Sequence, residues 1–557
     1  MLSNAATVYL PILLKDAVNL LQTKTTTETL FHYGVMIVGT SLFAGVFRFL
    51  IRQSIIVVSR EIEYDLRGDF WQHIQNLPTR YFRDTATGNI MAHATNDINA
   101  VRMFIGPAVM YSIDTVIRFS LVIIIMFKIS VYLTLYALFP LPFLSVLVYF
   151  VGKKIHDRFT KIQEKFSELT TRAQENYSGI RVIKSYVREQ GEIADFKVLS
   201  KEYMLKNMSL ARVQALFQPI LFLITGVSVI VVIWLGGMQV IRGKLLLGDI
   251  TALIIYLGIL IWPMIAFGWV INIIQQAEAS MARLNRIFAE QESSNEGTKA
   301  DYSKETITGE IEFRNAAFEY SAGKKRILEN INLKIPAGST VAIMGHTGSG
   351  KTTLVNLLPR LYDVTEGELL IDGIPINLIP LDVLRTNIGF VQQESFLFSD
   401  TIANNIAYGL DTFNKDSVSR ASSIAQFDKD ARDFPKGYET IIGERGITLS
   451  GGQKQRAAMA RAIVLNPAIL ILDDSFSAVD TSTEEDILKN LKEFMKGRTS
   501  ILISHRVSTV KDADKIIVLA DGRIAEEGTH DELLEYNGIY ADIYTKQLLE
   551  KELEEIS

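Results

Sequence analysis

The chain has 557 residues and a formal net charge of −5, and 48% of it is hydrophobic against only 21% charged. That balance offers no basic field for nucleic acid, and the lack of cysteine excludes disulfides, zinc–thiolate centres and thiol catalysis. Long apolar runs fill the first half while the second half reads as a soluble α/β domain, so a membrane domain followed by a soluble one is expected in a chain long enough for several domains.

A helix needs about 20 mostly apolar residues to cross a bilayer. Six stretches qualify: Leu2–Leu21, Phe31–Val58, Phe104–Phe127, Val131–Val151, Ala215–Ile241 and Ile250–Ile274. No basic n-region followed by a small-residue cleavage site precedes them. In the first stretch the apolar run ends near Leu14, ahead of Lys15 and Asp16, which is short for a full crossing. Either these two charges lie at the outer interface and helix is missing before Met1, or the first helix is abbreviated.

The connections alternate between short and long. Ser59–Met103 and Gly152–Gln214 are long, charged and helical in pattern. The second is crowded with Lys153, Lys154, Arg158, Lys161, Lys165, Arg172, Arg181, Lys184 and Arg188, which places the long loops in the cytoplasm. Ile155–Tyr177 contains no Pro or Gly, so these loops read as helices that continue past the membrane. Asp114 and Arg118 stand one turn apart in the third stretch. They read as an i,i+4 ion pair that lowers the cost of both charges in lipid, or as a cavity-lining pair that touches substrate. Trp262 and Pro263 in the sixth stretch bend it, contact substrate or simply pack.

The expected division is a transmembrane domain over 1–290, a polar linker over 291–308 and a soluble domain over 309–557, opening on a strand at Glu310–Phe313. In the last of these, Gly345-His346-Thr347-Gly348-Ser349-Gly350-Lys351-Thr352 fits G-x-x-x-x-G-K-[ST], after the strand-like Thr340–Met344 and before the helix-like Thr352–Leu358. That is the context a phosphate loop requires. Glycines let backbone N–H groups approach phosphates, a helix N-terminus adds its positive end, Lys351 supplies charge and the Thr352 hydroxyl suits Mg²⁺. Ala468–Leu472 is an apolar strand ending in Asp473 and Asp474, where a carboxylate suits the water shell of Mg²⁺. Ser500–Ile503 leads to His505, whose imidazole can bond a γ-phosphate or position a water.

Between these motifs lies Leu449-Ser450-Gly451-Gly452-Gln453-Lys454-Gln455-Arg456, which resembles the signature of ABC ATPases. Ser450 and two glycines at a helix start make a second anion nest. The resemblance implies that Ser450, Gly451, Gly452 and Gln453 close on the γ-phosphate held by another subunit. It also implies that Tyr320 stacks on adenine, that Thr353 joins the ATP-binding loop, and that Gln393 senses γ-phosphate and Mg²⁺. Ser477-Ala478-Val479-Asp480 is similar to the loop that crosses the dimer interface. In the first half, Leu77-Pro78, Tyr81-Phe82, Thr87-Gly88 and Asn96-Asp97 look like the first cytoplasmic loop of multidrug-type exporters. Gly179–Lys184 with Arg188-Glu189 looks like the second, and such loops carry short coupling helices that dock on the ATPase domains.

The family fold implied is a six-helix transmembrane domain with long cytoplasmic helical extensions, followed by an α/β P-loop ATPase domain. The implied activity is ATP-driven export of hydrophobic or amphipathic compounds, drug-like molecules or lipids, by a multi-pass membrane protein whose ATPase domain is cytoplasmic. ATP and Mg²⁺ are the implied cofactors, Asp474, His505 and Gln393 the catalytic residues, and Thr352, Gln393 and Asp473 the metal-side residues, Asp473 through water. Two features depart from the family. The residue after the acidic strand end is normally glutamate, but here it is Asp474, and Ile441 stands where an acidic residue is usual. The intact Ser450–Gln453 beside the shortened acid resembles one half of a heterodimer in which one composite site is weak. A homodimeric lipid flippase, a peptide exporter and an ATP-gated regulator are the alternatives, while the six apolar stretches exclude a soluble ATPase that acts on DNA or ribosomes.

Overall fold

The computed structural model describes residues 1–22, 26–292, 307–321, 323, 325–443 and 449–556. Most of the expected linker (293–306) and the segment just before the signature motif (444–448) lie outside the described residues. The chain divides into two compact units, one of Met1–Gln75 with Thr87–Glu290 and the other of Asn76–Ala86 with Gln291–Ser557. Chain order assigns Asn76–Ala86 to the membrane domain, but in the structure this segment groups with the second unit.

The first unit is helical. Its elements are α1 (Leu2–Leu21), α2 (Thr27–Asn76), α4 (Thr87–Ile129), α5 (Val131–Leu138), α6 (Leu141–Ser178), α7 (Ile180–Ser185), α8 (Glu189–Ile241) and α9 (Leu247–Phe288); α3 (Thr79–Asp84) belongs to the second unit. Of these, α2, α4, α8 and α9 are each long and apolar enough to cross a membrane. At about 1.5 Å per residue, the 50 residues of α2 rise roughly 75 Å, well over twice a hydrocarbon core of about 30 Å. The long loops are thus continuations of the spanning helices.

The fourth span, expected to be continuous over Val131–Val151, is interrupted by a turn at Phe139–Pro140. Pro140 and Pro142 both lack the N–H that would bond back one turn, so the ladder fails there and restarts as α6. Inside α4 the helix loosens into π turns at His93–Asp97 and Phe104–Ala108, the second containing Pro107. The buried Asp97 accepts from Ser280 Oγ (2.8 Å) and Arg283 Nε (3.0 Å), tying α4 to α9.

Of the two charges that shortened the first apolar run, Lys15 has its partner at the start of α9. Lys15 pairs with Asp249 at 2.9 Å, and Asn19 Oδ1 accepts from the Gly248 backbone at 2.8 Å. A Cβ on Gly248 would lie 2.2 Å from the Lys15 carbonyl, so only glycine allows this approach. Deeper down, the Tyr256 hydroxyl donates to the Val8 carbonyl at 2.7 Å. A core of Val122, Met126, Leu133, Tyr256, Leu257 and Leu260 surrounds that contact.

The second unit holds two sheets. The antiparallel one is ordered β2-β1-β4-β5, from β1 (Ile311–Phe318), β2 (Leu328–Ile335), β4 (Glu366–Ile371) and β5 (Ile374–Pro375). The other is ordered β10-β9-β3-β8-β7-β6, from β3 (Thr340–Met344), β6 (Ile388–Val391), β7 (Ile469–Asp473), β8 (Thr499–Ile503), β9 (Lys515–Ala520) and β10 (Arg523–Gly528). Its strands are parallel except for the antiparallel edge β10. Strands β7 and β8 are buried along their whole length, which is why they appear as unbroken apolar runs. Helix α10 (Lys351–Asn356) follows β3, and α11 (Gly451–Val464) opens at the signature motif.

Candidate active site

The parallel register brings the carboxyl ends of β3, β7 and β8 together: Ile343 pairs with Ile503, and Ile503 with Asp473. Loops leaving such ends form the crevice where open parallel sheets hold ligands. Here the crevice is a cavity of about 290 Å³ lined by Thr347, Gly348, Gly350, Lys351, Thr352 and Thr353 from the loop and helix after β3. Gln393 after β6, Asp473 and Asp474 at the end of β7, and His505 after β8 complete its wall, with Ile327 at one side. Motifs that lie up to 158 positions apart in the chain thus meet at one point.

The loop's backbone explains its glycines. Gly345, Gly348 and Gly350 have φ of 141°, 83° and 103°, a region L side chains rarely adopt. At Gly345 a Cβ would also sit 2.2 Å from the Leu519 carbonyl. Lys351 Nζ donates to the carbonyls of Gly345 and His346, both at 2.9 Å, so its ammonium is folded back over the loop. Burial lowers the Lys351 pKa, opposed by the Asp473 and Asp474 carboxylates.

Burial pushes Asp473 up to about 6; Asp474 adds to the rise, while a bond from Thr352 and the charge of Lys351 oppose it. The Oδ2 atom of Asp473 is buried without a hydrogen-bond partner, and so is Ser349 Oγ. Buried polar atoms are normally paired, so a bare carboxylate oxygen beside a phosphate loop fits a hydrated divalent cation. Asp474 has φ of 48° and its N–H donates to the Ile503 carbonyl at 3.0 Å. Aspartate enters this left-handed region more readily than most residues.

Tyr320 does not line the cavity, but its hydroxyl bonds Thr353 Oγ1 at 3.0 Å, at the cavity's edge. Phe318 and Tyr362 pack against its ring edge-on, and the Arg83 guanidinium lies 4.6 Å from the ring centroid. Arg83, on α3, is a neighbour that no motif spacing announces, being 237 positions away. Gln547 is another: it donates to the His505 carbonyl and accepts from the Val507 N–H, pinning the turn that carries His505.

The signature residues lie apart from this cavity. Ser450 caps α11 and accepts from the Gln453 N–H at 3.2 Å, while Gln453 Oε1 accepts from the Ser450 N–H at 3.0 Å. Gln453 also donates to Asp430, and Gln455 holds Ser477 and the Ala478 N–H. A Cβ on Gly452 would lie 2.8 Å from the Ala478 carbonyl. None of Ser450, Gly451, Gly452 or Gln453 lines the cavity of the phosphate loop. The two motifs therefore occupy separate places in the second unit, one with acidic and imidazole groups beside it and one without. Ile441, exposed, bridges to Thr401 two residues before the described chain pauses.

Comparison with known proteins agrees with this geometry. Residues 1–264 match the family model for the ABC transporter transmembrane region, and residues 328–477 match the family model described as ABC transporter. A probable multidrug resistance ABC transporter ATP-binding/permease protein, YheI of Bacillus subtilis (strain 168), is 39% identical over 93% of this chain and 88% of its own. A multidrug resistance-like ATP-binding protein, MdlA of Escherichia coli (strain K12), is 37% identical over 91% of this chain and 86% of its own. A solved bacterial Atm1-family ABC exporter with ATP bound superposes with a TM-score of 0.77 at 29% identity, covering 98% of this chain and 96% of that one.

Proposed function

This chain belongs to the ABC transporter family, with its transmembrane region fused ahead of its ATPase, and on that footing we propose that it is the slow-site subunit of a heterodimeric exporter of hydrophobic or amphipathic compounds. The family membership makes it an ATP-driven exporter embedded in the membrane, with its ATPase unit in the cytoplasm and its activity expressed in a dimer.

In this proposal ATP lies in the cavity of the phosphate loop. The N–H groups of Gly348 to Thr352 and the Lys351 ammonium take its phosphates, and Tyr320 takes its adenine. Mg²⁺, when bound, neutralises phosphate charge; Thr352 and Gln393 would hold it, and Asp473 would reach it through water. Asp474 orients the attacking water, and His505 bonds the γ-phosphate. Ser450, Gly451, Gly452 and Gln453 serve the nucleotide on the opposing subunit, which accords with their distance from this chain's own cavity.

The pairing rests on Asp474. A carboxylate one methylene short of glutamate is drawn back by roughly 1 Å, and misplacement of that size costs on the order of 100-fold in rate. A second subunit that carries the longer acid would restore a fast site against the intact signature of this one. The transport reading is tested in everted vesicles that contain the chain and its paired subunit. Adding ATP should drive a fluorescent amphipathic dye inward against its gradient. An ATP-dependent conductance with no uphill accumulation would overturn export in favour of a gated regulator.

A further inference from the structure

The first unit contains a second cavity, again of about 290 Å³, that the ATPase chemistry does not use. Arg48 and Arg52 from α2, Tyr111, Asp114 and Arg118 from α4, and Trp262 from α9 line it. Its charges do not balance. Arg118 bonds Asp114 at 2.8 Å and also reaches Asn4 Oδ1 at 3.3 Å, which spends the single carboxylate of the cavity wall. The two remaining guanidiniums meet only neutral hydroxyls: Arg48 donates to Thr7 Oγ1 at 3.3 Å and Arg52 to Tyr111 Oη at 3.4 Å. Among the described residues no carboxylate pairs with either. Arg118 Nε is moreover buried with no partner.

Arg48 and Arg52 are one helical turn apart on α2, inside the apolar stretch Phe31–Val58. Charges at that depth are expensive in lipid and are found facing water-filled cavities, functional ligands or each other. Arginine is retained there with a purpose, because its planar fork bonds a carboxylate, sulfonate or phosphate in two places at once. Ser3 and Asn4 add neutral polar groups to the wall, and Ile51, Ile55, Ile113 and the Trp262 ring give it an apolar face.

We infer that this cavity selects amphipathic anions: an acidic head on the Arg48 and Arg52 guanidiniums, and an apolar body along Trp262 and the isoleucines. The inference rests on the export reading and narrows its substrate class. Within it, the Asp114–Arg118 pair is both an internal ion pair and part of the substrate wall, since Asp114 neutralises one arginine and leaves the other two for the ligand.

The test uses two probes with one body and opposite heads, pyrenebutyrate and pyrenebutyl-trimethylammonium, bound without nucleotide to the full chain with its paired subunit in phosphatidylcholine nanodiscs. The parent protein should bind the anion at least 10-fold more tightly than the cation. Arg48→Gln with Arg52→Gln should erase that ratio, and Arg48→Glu with Arg52→Glu should invert it. A gain of cation binding cannot arise from misfolding. Adding phosphatidylglycerol to the disc separates the sources, because it displaces the probe if the natural head belongs to a lipid and does not if it belongs to a free solute. Equal affinities in the parent, a preference for the cation, or a ratio that survives the double glutamine change would overturn the inference. ATP-driven flux of the cation alone would sink it while leaving export intact; absence of any ATP-driven flux beside a clear anion preference would sink export and not the cavity.

Discussion

Lys351 rests its ammonium on two loop carbonyls, and in the proposed site an arriving nucleotide would exchange these for phosphate oxygens. Charge-assisted hydrogen bonds contribute about 1.5–3 kcal/mol each, so Lys351→Ala should weaken ATP binding at this site at least 10-fold. A fluorescent ATP analogue titrated onto a complex whose other site is blocked measures this; unchanged affinity would remove Lys351 from the site. Asp474→Glu should raise hydrolysis at this chain's own site by returning the carboxylate to the water. The left-handed backbone at Asp474 adds a second expectation: the longer side chain should cost stability, on the order of 1 kcal/mol, visible as a lower unfolding midpoint of the ATPase unit. The convergence of Lys351, Thr352, Asp473, Asp474 and His505 on one cavity was legible in the sequence because each sits at a strand end inside or beside a short motif whose chemistry is local, whereas Gln393 was named only through resemblance and Ile327 not at all. Arg83 and Gln547 were not, because their roles come from neighbours far along the chain, 237 and 42 positions away.

At the scale of elements, the sequence showed which segments are helices and where the buried strands run, because hydropathy and proline act locally. It did not show the break at Phe139–Pro140 as a break, since the apolar run continues across it and hydropathy ignores missing donors. Nor did it show why Lys15 is tolerated, because Asp249 and Gly248 lie on another helix. The entry to the ATPase unit is held similarly. The Asp372 carboxylate accepts from the Thr308 N–H and hydroxyl, both at 2.6 Å, and from the N–H groups of Gly309 and Glu310. Against the cost of burial, these donors hold its pKa below the ordinary value of 3.8. A folded-state pKa below the unfolded one stabilises fully above the unfolded value and fades as pH falls through the folded one. Asp372→Ala should therefore cost about 1–3 kcal/mol near neutral pH, and the gap between variant and parent should narrow once pH drops below about 4. Denaturant melts at both pH values check this, and a gap independent of pH would assign the loss to packing.

For the whole molecule, the separation of Ser450–Gln453 from the phosphate cavity is what a site shared between two subunits requires. If this chain's signature serves the fast site and Asp474 the slow one, Ser450→Arg should stop transport more completely than Asp474→Ala. The arginine fills a nest meant for phosphate, whereas the alanine damages a site that is already slow. Vesicle flux at matched expression ranks the two, and the reverse order would exchange the fast and slow sites. The sharing itself was legible only through resemblance, because one chain contains both halves of the motif set and does not say which halves meet. Most direct of all is the steady-state ATP hydrolysis rate of the purified chain in lipid nanodiscs, first alone and then with its paired subunit. A slow site in this chain should give a rate below about 1 s⁻¹ alone and a rise of at least 10-fold with the pair. A lone-chain rate within the roughly 1–100 s⁻¹ range usual for phosphoryl transfer, unchanged by the second subunit, would contradict it.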